Sequence, residues 1–285
     1  MSSLSSETTV REAILRLARK LPTSPHIFGR LGGLLNDINS DLDSIVKLVA
    51  VDSGLTGRVI RLSNSVFFRG DQPVKSLDEA INRVGFREMH RVVGVAMSEQ
   101  IFQGGLPVYH LSAEQVWENS VIVALAMERL AKTNGSDESE AYTLGLLRPV
   151  GKLVLDMLIQ VEQPGVSCPE IDNLDLPKWE RAWAATTSNE AGSMILEEWK
   201  MPESVCIGVR DHYHPSEAGG APAAMLHVAC SIANQLGKGI HAELRQWNVT
   251  PEILALARLN EETVQSVQEE THEALGQLKS RLRGK

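Results

Sequence analysis

The chain has 285 residues, 43% of them hydrophobic, enough to bury one large core or two smaller packed ones. Its 28 basic and 36 acidic residues leave a net charge of −8, which argues against non-specific nucleic-acid binding and against an anionic membrane surface, since both need a basic face. Three cysteines, Cys168, Cys206 and Cys230, form no CxxC pair and are expected as reduced, mostly buried thiols. The opening MSSLSSETTV has no basic stretch before an apolar core, and no apolar run approaches the ~20 residues of a membrane span, so a cytoplasmic protein is expected.

Apolar residues recur three and four apart in segment after segment, and alternating β-branched runs are nearly missing; the spacing predicts an all-α fold. The first helix spans about Thr8–Leu21, with Val10, Ile14, Leu17 and Leu21 on one face. A second, beyond Pro25, carries Ile27, Leu31, Leu34 and Leu35. Ser40 is placed to cap a third, with Asp43 answering it and Leu42, Ile45, Val46 and Val49 facing inward. A fourth opens at Gly54 and ends near Asn64, whose tolerance of the left-handed conformation suits a helix end. In SLDEAINRVG, Ser76 and Glu79 spell a capping box, Ala80, Ile81 and Val84 an apolar stripe, and Gly85 a stop.

A helix with Met89, Val93 and Met97 follows, and the glycines and proline of QGGLPVYH mark a boundary. The next helix covers about Ser112–Lys132. LGLLRPVGKLVLDML, Leu144 to Leu158, has the apolar content of a buried helix but carries Arg148 and Pro149 near its middle. Proline inside a helix costs about 3 kcal/mol, and a long cation is unwelcome in an apolar interior. Trp179 and Trp183, four apart, are expected to pack against each other or the core. Thr187 or Ser188 starts a helix to Trp199, Pro202 at a first helical position opens another, and Pro222–Leu236 forms one more. Pro251–Arg283 reads as one long amphipathic tail helix whose end is a candidate partner-binding or dimer-forming surface, giving a possible homodimer.

Several stretches in order resemble the HDOD family, the HD-related output domain of bacterial signalling proteins. They are the LP of Leu21 and Pro22, DLDSIVKLVAVDSGLTGRVIRLSNSVFF from Asp41, VKSLDEAINRVGF from Val74, VWENS, LGLLRPVGKLVL and EEWKMPESVCIGVRDHYHP. The resemblance covers roughly Leu21 to Leu236. It implies an HDOD-type helical fold with an N-terminal helical bundle (21–110) packed on a degenerate HD-like subdomain (111–236). Outside these lie an N-terminal extension (1–20) and a C-terminal helical extension (237–285).

In the related HD phosphohydrolases, histidine and aspartate side chains hold one or two metals, and a bound water attacks a phosphate ester. Such a metal needs ligands with open positions and must lower the pKa of its water. By the resemblance, the ligand positions fall here on Asn119, on Arg148 and Pro149 in place of the His-Asp doublet, on Asn189, on His212 and on Cys230. Only His212 is kept. Proline has no side-chain donor and arginine stays cationic. At ~4 Å and an effective dielectric of about 20, a guanidinium costs a cation about 4 kcal/mol per unit of charge. The expectation is therefore no metal and no hydrolase activity.

Two readings of Arg148 stay open at this point. It is a structural ion pair with a carboxylate such as Glu118 or Asp211, or, with Asn119, Asn189 and His212, it lines a pocket for an anion or a nucleotide phosphate. A separate zinc cluster of His212, His214, His227 and Cys230 has no standard ligand spacing. Arg83, Arg87 and Arg91 recur every four residues and, with His90, form the clearest basic patch, a candidate partner surface if their helix runs through Gly85 or restarts in phase. No cofactor is implied. HDOD modules are often joined to receiver, diguanylate-cyclase or phosphodiesterase domains, so the expected partners are signalling proteins of those kinds acting in trans. The sequence is expected to be a non-catalytic signalling scaffold, with ligand sensing as the alternative.

Overall fold

The computed structural model describes residues 7–21, 27, 30, 42–64, 72–171 and 174–283, and no β-strand occurs among them. Of these, the side chains of 7, 8, 42, 86, 87 and 277–283 are outside the description. Among the described residues no helix is long and apolar enough to cross a membrane. The expected second helix falls on Ile27 and its neighbours, where only Ile27 and Arg30 are described; Ile27 is buried and Leu31, Leu34, Leu35 and the capping Ser40 lie outside.

Helix α1 (Glu7–Ala18) buries Val10, Ala13, Ile14 and Leu17, the stripe its spacing predicts. Helices α2 (Leu42–Ala50), α3 (Ser53–Ser63), α4 (Leu77–Val84) and α5 (Phe86–Ile101) then pack on one another. Asn64 closes α3 at φ −91°, in the right-handed region rather than the left-handed one expected. Its amide does something else: Oδ1 accepts from the Val74 N–H at 2.7 Å and Nδ2 donates to the Val74 carbonyl at 2.8 Å, which ties α3 to the approach of α4.

Ser76 caps α4 through Glu79 N–H, while the Glu79 carboxylate reaches Lys75 N–H instead of closing a capping box. Gly85 sits at φ +91° between α4 and α5, a conformation that suits glycine. The helix therefore does not run through Gly85. Arg83 donates to Gln72 O and Asn64, and Arg91 pairs with Glu88 at 2.8 Å and Glu128 at 2.8 Å. The expected basic stripe of Arg83, Arg87 and Arg91 is not a shared free face: two of its cations serve internal contacts, and the side chain of Arg87 lies outside the described residues.

The second half is built around α6 (Ala113–Asn134), whose capping box of Ser112 and Gln115 and closing Gly135 define its ends. Against it pack α5, α7 (Glu138–Leu147), α12 (Gly220–Gln235) and α14 (Glu261–Arg283). Helices α8 (Val150–Glu162), α9 (Leu176–Ala184), α10 (Ser188–Glu198) and α11 (Glu203–Asp211) complete this half, and α1 docks on α8 and α10. Gly151 of α8 meets Gly192 of α10 so closely that a Cβ on Gly151 would collide with the Ser188 carbonyl and the Gly192 backbone. Trp179 stands edge-on to Tyr109 at 5.8 Å, whereas Trp183 is 37% exposed and so does not pack into the core. The expected single tail helix is two: α13 (Pro251–Ala257) ends at Arg258 in the left-handed region, and α14 follows, burying Val267, Thr271 and Leu275.

A buried ion-pair cluster at the candidate site

The awkward dipeptide lies at a junction, not inside a helix. Arg148 N–H closes α7 on the Leu144 carbonyl, and the Pro149 carbonyl accepts the first hydrogen bond of α8 from Leu153 N–H. At that capping position proline forfeits no helical hydrogen bond, so the interior penalty does not arise.

Arg148 is 4% exposed, and its guanidinium is held by acceptors on two sides. Nη1 donates to both Glu243 oxygens, at 3.1 and 2.9 Å, and Nη2 donates to Asn119 Oδ1 at 2.6 Å. Asn119 Nδ2 passes the chain on to the Lys238 carbonyl at 2.7 Å. Neither expected carboxylate pairs with Arg148: Glu118 lies 2.6 Å from Lys238 Nζ, and Asp211 binds Arg210 at 2.8 Å. The partner is Glu243, from a short 3-10 turn (His241–Glu243) ninety-five residues away.

Four residues further along α8, Lys152 extends the cluster. Its ammonium reaches Glu180 at 3.1 Å, Glu243 at 3.2 Å and Ser188 Oγ at 3.2 Å, and lies 4.6 Å from the Tyr109 ring centroid. Glu180 also accepts from Tyr109 Oη at 3.0 Å and Ser188 N–H at 2.7 Å, and Glu243 from Tyr213 Oη at 2.9 Å. Two buried cations thus face two buried carboxylates with nearly every polar atom met, the condition under which burying charge is tolerable. Burial alone would raise the Glu243 carboxyl, but Arg148 and then Lys152 outweigh it and hold it at about 2.

Trp247 closes the cluster. Its ring lies 5.7 Å from His212 in a stacked arrangement and 5.5 Å from Tyr213, with Arg148 Cζ 5.8 Å from its centroid. His212 Nδ1 faces the Val209 carbonyl at 2.7 Å, which fixes the proton there and leaves Nε2 as a lone-pair acceptor. Cys230 lies beside Arg148, its thiol pushed up to about 12, mainly by burial.

Asn189 does not join them. Its amide donates to the Arg210 carbonyl at the partly exposed start of α10, outside Arg148's hydrogen-bond network. The pocket expected from Arg148, Asn119, Asn189 and His212 is therefore filled by Glu243 and lacks one of its four members. Of the separate His/Cys cluster, His227 has Nδ1 2.9 Å from the His212 carbonyl and Nε2 3.2 Å from the Asn248 carbonyl, one of which accepts the neutral ring's proton, and His214 is exposed.

A metal of the HD type needs imidazoles and carboxylates around one point. Here the position that the resemblance assigns to the doublet holds a guanidinium bonded to a carboxylate and an amide, together with a proline, and the thiol at Cys230 stays protonated. Among the described residues, no three His, Cys, Asp or Glu side chains are placed to share a metal. The residues do not fit that ion.

The sequence carried a partial signal for what it missed. Lys152 follows Arg148 by four in an otherwise apolar run, so two cations on one inward face called for two acids. Nothing local marked Glu180, Glu243, Tyr109 or Trp247 as those partners, since each belongs to a different segment.

The buried rings make stability pH-dependent. His212 is lowered to about 3 by burial and then by Arg148, and His90, on α5, to about 4, mainly by burial. A histidine whose folded pKa lies below its unfolded 6.5 binds its proton more readily unfolded, so stability falls as pH drops below 6.5. At about pH 5 each ring contributes a loss of about 2 kcal/mol. Asp156, raised by burial to about 6, gains stability as it protonates and offsets about 1 kcal/mol of this. Urea midpoints are expected to fall by a net equivalent of about 3 kcal/mol between about pH 7.5 and pH 5. A flat profile over that range would show these rings to be protonated or hydrated in the native state.

Comparison with known proteins agrees with this architecture. The HDOD domain profile matches residues 21–215, and the chain belongs to the HDOD family. An uncharacterized protein of Treponema pallidum (strain Nichols) is 20% identical over 249 residues, 85% of this chain and 47% of the relative, so the chain spans about half that protein's length. Among solved structures, an HDOD domain protein of unknown function from Geobacter sulfurreducens is 22% identical with a TM-score of 0.66, over 94% of this chain and 98% of that one. A Shewanella amazonensis SB2B protein named as a candidate phosphohydrolase is 24% identical with a TM-score of 0.65, over 95% and 98%. A Marinobacter aquaeolei VT8 protein named as a candidate signal transduction protein is 19% identical with a TM-score of 0.69, over 98% and 66%. These identities establish a shared fold.

Proposed function

We propose that this chain is a non-catalytic signalling module of the HDOD family that works by binding other signalling proteins. The family membership and the fold shared with a protein named for signal transduction support a signalling role. The observation that supports the non-catalytic part is the buried Arg148–Glu243 pair, 2.9 Å apart and 2% and 1% exposed, at the position that the resemblance assigns to the ligand doublet. Hydroxide generation needs a metal with an open position there, and a guanidinium bonded to a carboxylate offers no lone pair to hold one.

The test is hydrolysis of a chromogenic phosphodiester by the full chain with added manganese or ferrous iron. Turnover no faster than the buffer control is expected. Metal-dependent turnover that disappears in His212→Ala would overturn the reading.

A further inference from the structure

The seal over the cluster comes from a stretch outside the residues matched to the family. From Lys238 to Asn248 the backbone is irregular apart from one 3-10 turn, and its hydrogen bonds are local: Lys238 N–H to Ala233, Glu243 N–H to Ile240, Leu244 N–H to His241, Gln246 N–H to Glu243. Much of its hold on the HD-like half comes through side chains and two of its carbonyls. Asn119 and His227 meet the Lys238 and Asn248 carbonyls, Lys238 meets Glu118, Trp247 lies on His212 and Tyr213, and Glu243 is gripped by Arg148, Lys152 and Tyr213. Directly after buried Glu243, Leu244 is 43% exposed, so the stretch is anchored from one side only.

Behind it, Arg148 Nε and His212 Nε2 are buried with no hydrogen-bond partner. One is a donor and the other, by the tautomer above, an acceptor. Closure leaves both unmet and also desolvates an ion pair; both costs are recovered if the stretch lifts and water enters. Its apolar anchors are Ile240 and Trp247, 2% and 9% exposed; a segment whose backbone bonds are local and which a few side chains tie down is of the kind that opens below the global unfolding free energy.

We propose that Lys238–Asn248 is a latch, and that Glu243 is the built-in ligand of a carboxylate-recognising recess formed by Arg148, Lys152 and Tyr213. The recess directs one guanidinium nitrogen, an ammonium and a hydroxyl onto one carboxylate, a charge-assisted donor set that a carboxylate selects. An acidic segment of a partner protein, presenting a carboxylate to the same donors, displaces Glu243 and lifts the latch together with its link to α13 and α14. The inference rests on the partner-binding part of the proposed function and not on its non-catalytic part: loss of the latch would leave the hydrolysis result untouched, and the reverse.

Hydrogen exchange read by mass spectrometry, with thermal melting, tests it in the full chain. In the unaltered protein, peptides within 238–248 are expected to exchange at least about tenfold faster than those of α6 and α8. In Glu243→Ala the gap widens while α6 and α8 keep their protection. Sodium acetate then raises the melting temperature of Glu243→Ala more than sodium chloride at equal ionic strength, and this advantage disappears when Arg148→Met is added. Exchange of 238–248 in step with α6 and α8 in the unaltered protein would overturn the latch, whether or not the variant folds. Acetate no better than chloride on folded Glu243→Ala would overturn the recess.

Discussion

Gly151→Ala is expected to lower stability by about 3 kcal/mol or more, or to prevent folding, although alanine is the better helix former. The added methyl would occupy space held by the Ser188 carbonyl and the Gly192 backbone, and backbone cannot rotate aside as a side chain can. Relief would require α8 and α10 to separate, which would also pull Lys152 from Ser188 and loosen the seat of α1, which packs on both helices. Gly57, exposed in the interior of α3, is the control: a Cβ there meets nothing within 4 Å, and Gly57→Ala should gain about 0.5–1 kcal/mol. Denaturant midpoints of the two variants measure the contrast. A wild-type midpoint for Gly151→Ala would mean the helices sit further apart than described.

Lys152→Met is expected to cost about 3–5 kcal/mol, because it strands a carboxylate that is fully buried. Glu180 would keep Tyr109 Oη and Ser188 N–H but lose the one cation it pairs with among the described residues, at a side chain 0% exposed. The loss should be mostly charge, since methionine fills much of the lysine's volume. Adding Glu180→Gln, which removes the stranded charge while keeping an acceptor, should therefore recover a large part of it. In a double-mutant cycle the coupling is expected to be about 2 kcal/mol or more. Additive losses would show that Glu180 draws its stability from its hydrogen bonds alone.

The helices were legible in the sequence wherever an apolar stripe coincided with a local stop or cap. The stripe of Val10, Ile14 and Leu17 is buried, Ser76 caps its helix, Thr187 begins one, and Gly85 ends one. Legibility failed where geometry depended on a distant segment. Asn64 reads locally as a left-handed helix end, but Val74, ten residues on, supplies both hydrogen bonds its amide needs and the backbone stays right-handed. The tail reads as one helix because α13 and α14 are both amphipathic; the break at Arg258, left-handed without glycine, has no compositional mark.

At the candidate site the same division holds. Arg148 is visibly out of place in an apolar run, so that it must find a carboxylate follows from charge burial alone. Which carboxylate does not follow. Glu118 and Asp211 are near in the chain or the resemblance, but both are committed to their own cations. Glu243 arrives from beyond the matched domain, and Asn189, aligned with the site by resemblance, sits on the first turn of α10 and spends its amide on Arg210.

A buried ion pair at the position that the resemblance assigns to the HD ligand doublet should leave the protein without a bound metal. Elemental analysis of the full chain, purified without chelator and dialysed against metal-free buffer, tests it most directly. The account predicts iron, manganese and zinc each far below one atom per chain, unchanged in His212→Ala. One or two tightly held atoms per chain, lost in that variant, would contradict it.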